Sequence, residues 1–482
     1  MKQKSLLVNV VYNFIYTGLN LLFPLITAPY VSRILGASNL GKVNFAAVIV
    51  NWFVLFAIFG TSTYGVREVA KVRDNKEKLN KLFSEIVLIN GALSLIVAVV
   101  YYVFIFNVPQ FSSEISLFVI MSLSIILNMF DIDWFYQGIE EYRYITIRSA
   151  FFKIISLICI FIFINKAEHY IIYGLISVLA TGLSWILNYI YSRKFVKLNF
   201  RNINPLRHIK TLSIFFMHTF VVSIYTNIDQ ALLGFLVNTK SVAFMNRSKT
   251  VVGMAISVST AISNVTLPRA SYYLRNDKKK FRQLLSEVPN FISWITIPIS
   301  FACICLAPNI MYILGGKEFL QATFLLQVLS LTIIFSPLSS FLQNQVLIAS
   351  GKEKIGLHCA IITSFLSLIF NSILIPKIGF LGAGITQVIA EISAVSMRYY
   401  VAKKKLDYKE IKFINKSSIS YVFSAFMMSA IVIYICSSID NLIISFAVSA
   451  IVGAMVYFIV LLLMKEKVMM FVIGKVKQKF VR

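Results

Sequence analysis

Apolar runs of about twenty residues, parted by short polar links, follow one another along almost the whole chain. About twenty apolar residues are what a helix needs to cross the hydrocarbon of a bilayer. The pattern predicts fourteen such helices, centred near residues 20, 53, 94, 126, 155, 181, 225, 253, 300, 331, 365, 391, 428 and 453. The links 67–81, 193–210, 269–282, 403–416 and 465–482 each carry six Lys or Arg, whereas 107–114, 165–170, 238–241, 315–319, 376–379 and 438–441 carry one or none. Basic links stay on the cytoplasmic side. Odd turns are therefore expected outside, with both termini in the cytoplasm. Met1–Lys4 runs directly into the first apolar stretch without a small-residue cleavage pattern, so the first span is expected to be retained.

Arg67–Glu85 aligns without a gap on Arg269–Glu287, with seven of nineteen positions identical. Chance matching would give roughly one. Both copies leave one apolar run and enter the next from the same side, so spans one to six and seven to twelve form a parallel repeat. Lys197-Leu-Asn-Phe200 after span six echoes Lys405-Leu-Asp-Tyr408 after span twelve. The expected division is a first six-helix lobe over 1–200, a second over 201–412, and two additional helices with a basic tail over 413–482.

Composition narrows the class. With 58% hydrophobic and 14% charged residues and a mean hydropathy of +0.79, the chain is an all-α polytopic membrane protein. The net charge of +26 lies in short clusters between spans, which fits an anionic lipid surface and not nucleic acid. The five cysteines all fall in apolar stretches. Cys303 and Cys305 point about 200° apart on a helix and form no metal pair.

The motifs carry a resemblance. Pro29-Tyr-Val-Ser-Arg-Ile-Leu-Gly36, Asn39-Leu-Gly-Lys-Val-Asn-Phe45, Gly65-Val-Arg-Glu-Val-Ala-Lys71 and Asp131-Ile-Asp-Trp-Phe-Tyr-Gln-Gly-Ile-Glu140 resemble the Wzx-like polysaccharide flippases, in the polysaccharide transport branch of the MOP exporter superfamily. Ile228-Asp-Gln-Ala-Leu-Leu-Gly234 and Leu267-Pro-Arg-Ala-Ser271 look like their second-half counterparts. The resemblance implies two six-helix lobes around a central cavity. It also implies a polyprenyl-pyrophosphate-linked oligosaccharide as cargo, moved from the inner to the outer leaflet of the cell membrane, with no cofactor and with polysaccharide polymerase machinery as a further candidate partner. Arg33, inside the first motif, joins the candidate pyrophosphate contacts.

Charges within spans are the candidate sites. Asp131 and Asp133 lie about one turn from the cytoplasmic end of span four, and Arg148 lies at similar depth in span five. They are read as a structural or gating ion pair, with Arg148 also a candidate phosphate contact. Asp-x-Asp is also a glycosyltransferase metal pattern, but no nucleotide-binding domain accompanies it. Lys153 lies roughly 12 Å into span five; it could meet a pyrophosphate or pair with an acid on another helix. Asp229 in span seven faces Arg247 and Lys249 in span eight, one acid to two cations, which leaves a surplus charge for phosphate. Glu391, central in span twelve, could bind a coupling proton or sodium ion together with Asp229, or could hydrogen-bond to Gln387 or serines. Trp134, Tyr136 and Tyr142 fit an aromatic belt or a sugar platform.

The expected function is lipid-linked oligosaccharide flipping by alternating access, with no enzymatic step. The rivals are an exporter of peptidoglycan precursor or of cationic drugs from the same superfamily, an integral-membrane polymerase or glycosyltransferase, and a membrane scaffold. A polymerase or glycosyltransferase is expected to carry a sizeable outside loop, and the longest here is about Asn107 to Glu114. A scaffold has no need of deep charges.

Overall fold

The computed structural model describes residues 6–199, 201 and 203–480. Met1–Lys4, the chain's last two residues and Phe200 of the second echo lie outside the described residues. The regular structure among them is helical: α1 (Leu6–Ile58), α2 (Thr61–Val72), α3 (Lys76–Asn107), α4 (Ile115–Leu127), α5 (Asp133–Gly138), α6 (Tyr142–Phe163), α7 (Tyr170–Ser192), α8 (Leu206–Leu236), α9 (Thr239–Asn276), α10 (Lys278–Cys305), α11 (Ala307–Gly315), α12 (Thr323–Ser330), α13 (Thr332–Phe341), α14 (Glu353–Ile378), α15 (Phe380–Tyr400), α16 (Lys416–Ser438), α17 (Leu442–Leu463) and α18 (Lys467–Phe480).

Among the described residues twelve stretches are long and apolar enough to cross a bilayer, against fourteen expected from the sequence. Two places account for the difference. The first two expected spans belong to the single stretch Ile15–Val72, which is broken at Gly36, where φ is 71°. Glycine takes that angle without steric cost, and residues 6–35 and 37–58 are each long enough to cross. The other place is α9, expected as span eight, some of whose side chains lie outside the described residues and which is not among the twelve.

The chain forms two units. One runs up to Ser223 and takes in Asn238–Ala243; the other comprises Ile224–Val237 and everything from Phe244 onward. In the first unit α1 packs on α3, α4 and α6, and α4 packs on α7. Two of the family-like motifs meet as α2 against α5. A Cβ on Gly65 would stand 2.6 Å from the Trp134 ring, and one on Gly138 would stand 2.6 Å from Val69. Each helix thus supplies a glycine to the other's bulky residue. The contact buries Trp134, Phe135 and Tyr136 with Phe83, Ile86 and Leu212, so Trp134 and Tyr136 are core residues, neither belt nor sugar platform.

In the second unit α14 pairs with α15, α13 packs on α10 and α15, and the α16–α17 hairpin packs along α10. The hairpin, outside the repeat in sequence, is tied in by Tyr457, whose hydroxyl donates to the Trp294 carbonyl at 2.9 Å, and by the fully buried Tyr421.

The repeat has a structural basis. Asn75 caps α3 by accepting from the Lys78 amide at 3.0 Å, and Asp277, 202 residues later, caps α10 by accepting from the Lys280 amide at 3.0 Å. That bond and the Lys280 ammonium hold the Asp277 carboxyl below its usual range. The final Ser-Glu of the repeat has diverged. Glu287 is exposed, whereas Glu85 is fully buried and gathers the link between the two halves. It accepts from the Asn204 amide at 2.8 Å, from Arg207 and pairs with His208 at 2.8 Å. Asn80 and Ser84, on the same face of α3, accept from the amides of Lys197 and Asn199 at 3.0 and 2.9 Å.

Replacing the cap by Asn75→Ala is expected to destabilise the protein by about 1 kcal/mol, and Asn75→Ser by much less. Chemical unfolding in detergent, followed by intrinsic fluorescence, checks both.

Candidate functional site

The charged side chains inside the spans gather in two clusters, one in each unit. In the first unit the chain bends between α4 and α5, and the Asp133 amide that opens α5 donates to the Asp131 carboxylate at 3.1 Å. Asp131 thereby closes the turn. The Asp133 carboxylate accepts from Arg148 at 2.8 and 3.1 Å and from the Asn188 amide at 2.6 Å. Asn188 is itself positioned by Tyr136, which donates to its carbonyl at 2.7 Å. Arg148 is 7% exposed, and only one of its terminal nitrogens reaches Asp133. Its Nε and other terminal nitrogen have no hydrogen-bond partner. Its guanidinium stands 5.8 Å from the Tyr144 ring centre, and Tyr144 is stacked on Tyr191 at 4.0 Å. The expected Asp133–Arg148 pair therefore forms, with donor capacity left over.

Lys153, five residues further along α6, is half-buried. Its ammonium donates to the Asn20 side-chain oxygen and lies 5.7 Å from the Phe23 ring centre. Among the described residues no carboxylate reaches it. Arg33 is exposed, roughly 20 Å beyond Asn20 along α1 by helix rise.

In the second unit α8 and α9 form a hairpin that brings Asp229 and Lys249 to one depth. The Lys249 ammonium contacts the two Asp229 carboxylate oxygens at 2.8 and 2.6 Å and donates to the Thr226 carbonyl at 2.6 Å. Asp229 is 2% exposed, so this is a buried pair. Arg247 is also buried, with its guanidinium 5.9 Å from the Phe319 ring centre.

Glu391 is buried on α15, in the neighbourhood of Ser336 of α13, Arg398 and Lys249. Arg398 stands seven residues on, two turns along the same face, is 7% exposed and donates to Ser339. Ser336 and Ser339 on α13 thus face Glu391 and Arg398 on α15. Arg398, Asn20 and Asn188 escape a reading that asks only for charges deep within a span. The signal for Arg398 is its seven-residue spacing from Glu391.

These polar clusters are distinct from the apolar cavity of about 380 Å³ that Trp294, Pro298, Met428 and Tyr457 line between α10, α16 and α17. Among the described residues no group of three or more His, Cys, Asp or Glu assembles to hold a metal.

Helices that span apolar distances while keeping paired charges inside each of two units are the build of a polytopic membrane transporter. The chain belongs to the polysaccharide biosynthesis protein family, whose model matches residues 6–274. It is similar to the "Putative O-antigen transporter" of Escherichia coli K12, with 24% identity over 83% of this chain and 98% of that protein. The "Capsular polysaccharide biosynthesis protein CapF" of Staphylococcus aureus is 25% identical over 82% of this chain and 99% of its own. The fold is that of "Lipid II flippase MurJ, inward closed conformation", with a TM-score of 0.79 at 19% identity over 94% of this chain and 98% of that one.

Removing one partner of a buried pair strands the other charge, so Asp229→Ala is expected to destabilise by about 3 kcal/mol. Joint replacement by Asp229→Leu and Lys249→Met should recover most of the loss. Thermal unfolding of the detergent-solubilised variants checks the difference.

Proposed function

We propose that this protein is a flippase that carries a polyprenyl-pyrophosphate-linked oligosaccharide from the inner to the outer leaflet of the cell membrane, for capsule, O-antigen or exopolysaccharide assembly. The observation that carries the reading is Lys153, an ammonium within a membrane-spanning helix held by a neutral amide and an aromatic face, with no carboxylate among the described residues to neutralise it. Such a cation suits a phosphate partner. Arg148, with its remaining buried donors, is a second anion contact in the same unit. The family and the names of its relatives favour a glycan as cargo, and the sugar–pyrophosphate head explains why a protein is needed. Each desolvated polar group would cost several kcal/mol in roughly 30 Å of hydrocarbon. Alternating access along a polar path through the protein lowers that barrier while the lipid tail stays in the bilayer.

Export of cationic drugs is the weaker reading, because Asp133, Asp229 and Glu391 are each engaged by a cation or a hydroxyl. Glu391 is the proposed coupling residue. Its neighbours Ser336, Arg398 and Lys249 sit on the helices that would have to shift, and an ion or proton there drives transport only if it favours one orientation. The chain performs no covalent chemistry in this reading. Its basic links face the cytoplasm, and polysaccharide polymerase machinery is its proposed downstream partner.

Lys153→Ala is expected to reduce flipping of a pyrophosphate-linked glycan in reconstituted vesicles by about tenfold or more, with Lys153→Arg retaining part of it; an Ala variant with full activity would remove the cationic-grip mechanism. Glu391→Gln should keep the fold while abolishing the response of transport to imposed proton or sodium gradients. For orientation, single cysteines at Ser112 and Asn276 in a cysteine-free protein should label differently, only the first reacting with an impermeant reagent from outside.

A further inference from the structure

Lys153 is met by residues of α1 at positions 20 and 23, one turn apart on the same helix face. Asn20 accepts from the ammonium, and Phe23 offers its ring. A side-chain amide has an accepting end and a donating end. The oxygen is the end turned to Lys153, because the reverse orientation would set NH₂ against an ammonium.

Asparagine and aspartate have nearly the same shape, so the chemistry of position 20 lies in its lack of charge. A carboxylate there would hold the ammonium more firmly and would tie α1 to α6 more strongly than an amide does. It would also neutralise Lys153. An incoming anion must compete with whatever already holds the cation. Against an amide it displaces a neutral acceptor and gains a charge-assisted bond, whereas against a carboxylate it must break an ion pair.

We propose that Asn20 is a positioning residue for ligand selection: its neutral amide aims the Lys153 ammonium while leaving the whole of its charge for a pyrophosphate group. This rests on the reading of Lys153 given above. The two roles open to Asn20, helix tie or ligand positioning, predict opposite relations between stability and binding. For a helix tie, Asn20→Asp strengthens the contact and leaves binding alone. For ligand positioning, the same change strengthens the contact and weakens binding.

The test uses the full-length protein in detergent micelles, with geranylgeranyl pyrophosphate as the probe, titrated calorimetrically alongside thermal unfolding. Asn20→Asp should bind the probe about tenfold more weakly than the parent, close to Lys153→Ala, while unfolding at the same or a higher temperature. Binding by Asn20→Asp at parental strength, with Lys153→Ala impaired, overturns the role of Asn20 and leaves that of Lys153 standing. Parental binding by Lys153→Ala overturns the reading on which both rest. Should Asn20→Asp fail to fold, Asn20→Ala decides: its loss of affinity should vanish in the Lys153→Ala background, and an undiminished loss there overturns the proposal.

Discussion

An ionised side chain inside a membrane bundle has no water to solvate it, so protein groups have to meet its charge. That constraint organises both units. Asp133 faces Arg148, Asp229 faces Lys249, and Glu391 lies in the field of Arg398. Each of these arrangements is completed within its own unit. The scaffold follows from the need to bring the partners to one depth. The turn between α8 and α9 sets the register of Asp229 and Lys249, and the bend before α5 points Asp133 at α6. The glycine contacts between α2 and α5 hold that bend in place.

Against this background the charge that is met only in part becomes informative. Lys153 is oriented but not neutralised, and Arg148 uses one arm of its guanidinium and keeps other donors. Both are cations and both are in the first unit. The second unit instead holds a denser set of acids and bases, in which Lys249 bonds Asp229 and also acts on Glu391. The two units carry a repeat in sequence, yet their charged interiors differ: in the first Arg148 keeps donors unspent, whereas in the second Lys249 is held by both oxygens of Asp229.

The contacts legible in the sequence are those set by short-range geometry. The Asp229–Lys249 pair follows from helix rise on either side of a tight turn, and Asp133–Arg148 follows from two residues at equal depth flanking one link. The repeat shows in sequence because a cap residue and a basic stretch recur at a fixed offset. Asn20 against Lys153 is beyond such reasoning, since α1 and α6 are neighbours only after folding. Arg398 is passed over because a cation near a span end reads as an interfacial anchor; what meets it inside is Ser339 on α13. Among the described residues the helix count falls below fourteen in part because two expected spans lie in one continuous stretch broken only at Gly36.

Glu85 shows how a duplicated motif acquires a second use. The link between the halves carries six basic residues and reads as a passive spacer, but its backbone amides are stitched to Asn80, Ser84 and Glu85 along one face of α3. The spacer is therefore part of the first unit's wall. A cut in the chain within this link would therefore leave Asn80, Ser84 and Glu85 on α3 without the amides they accept from.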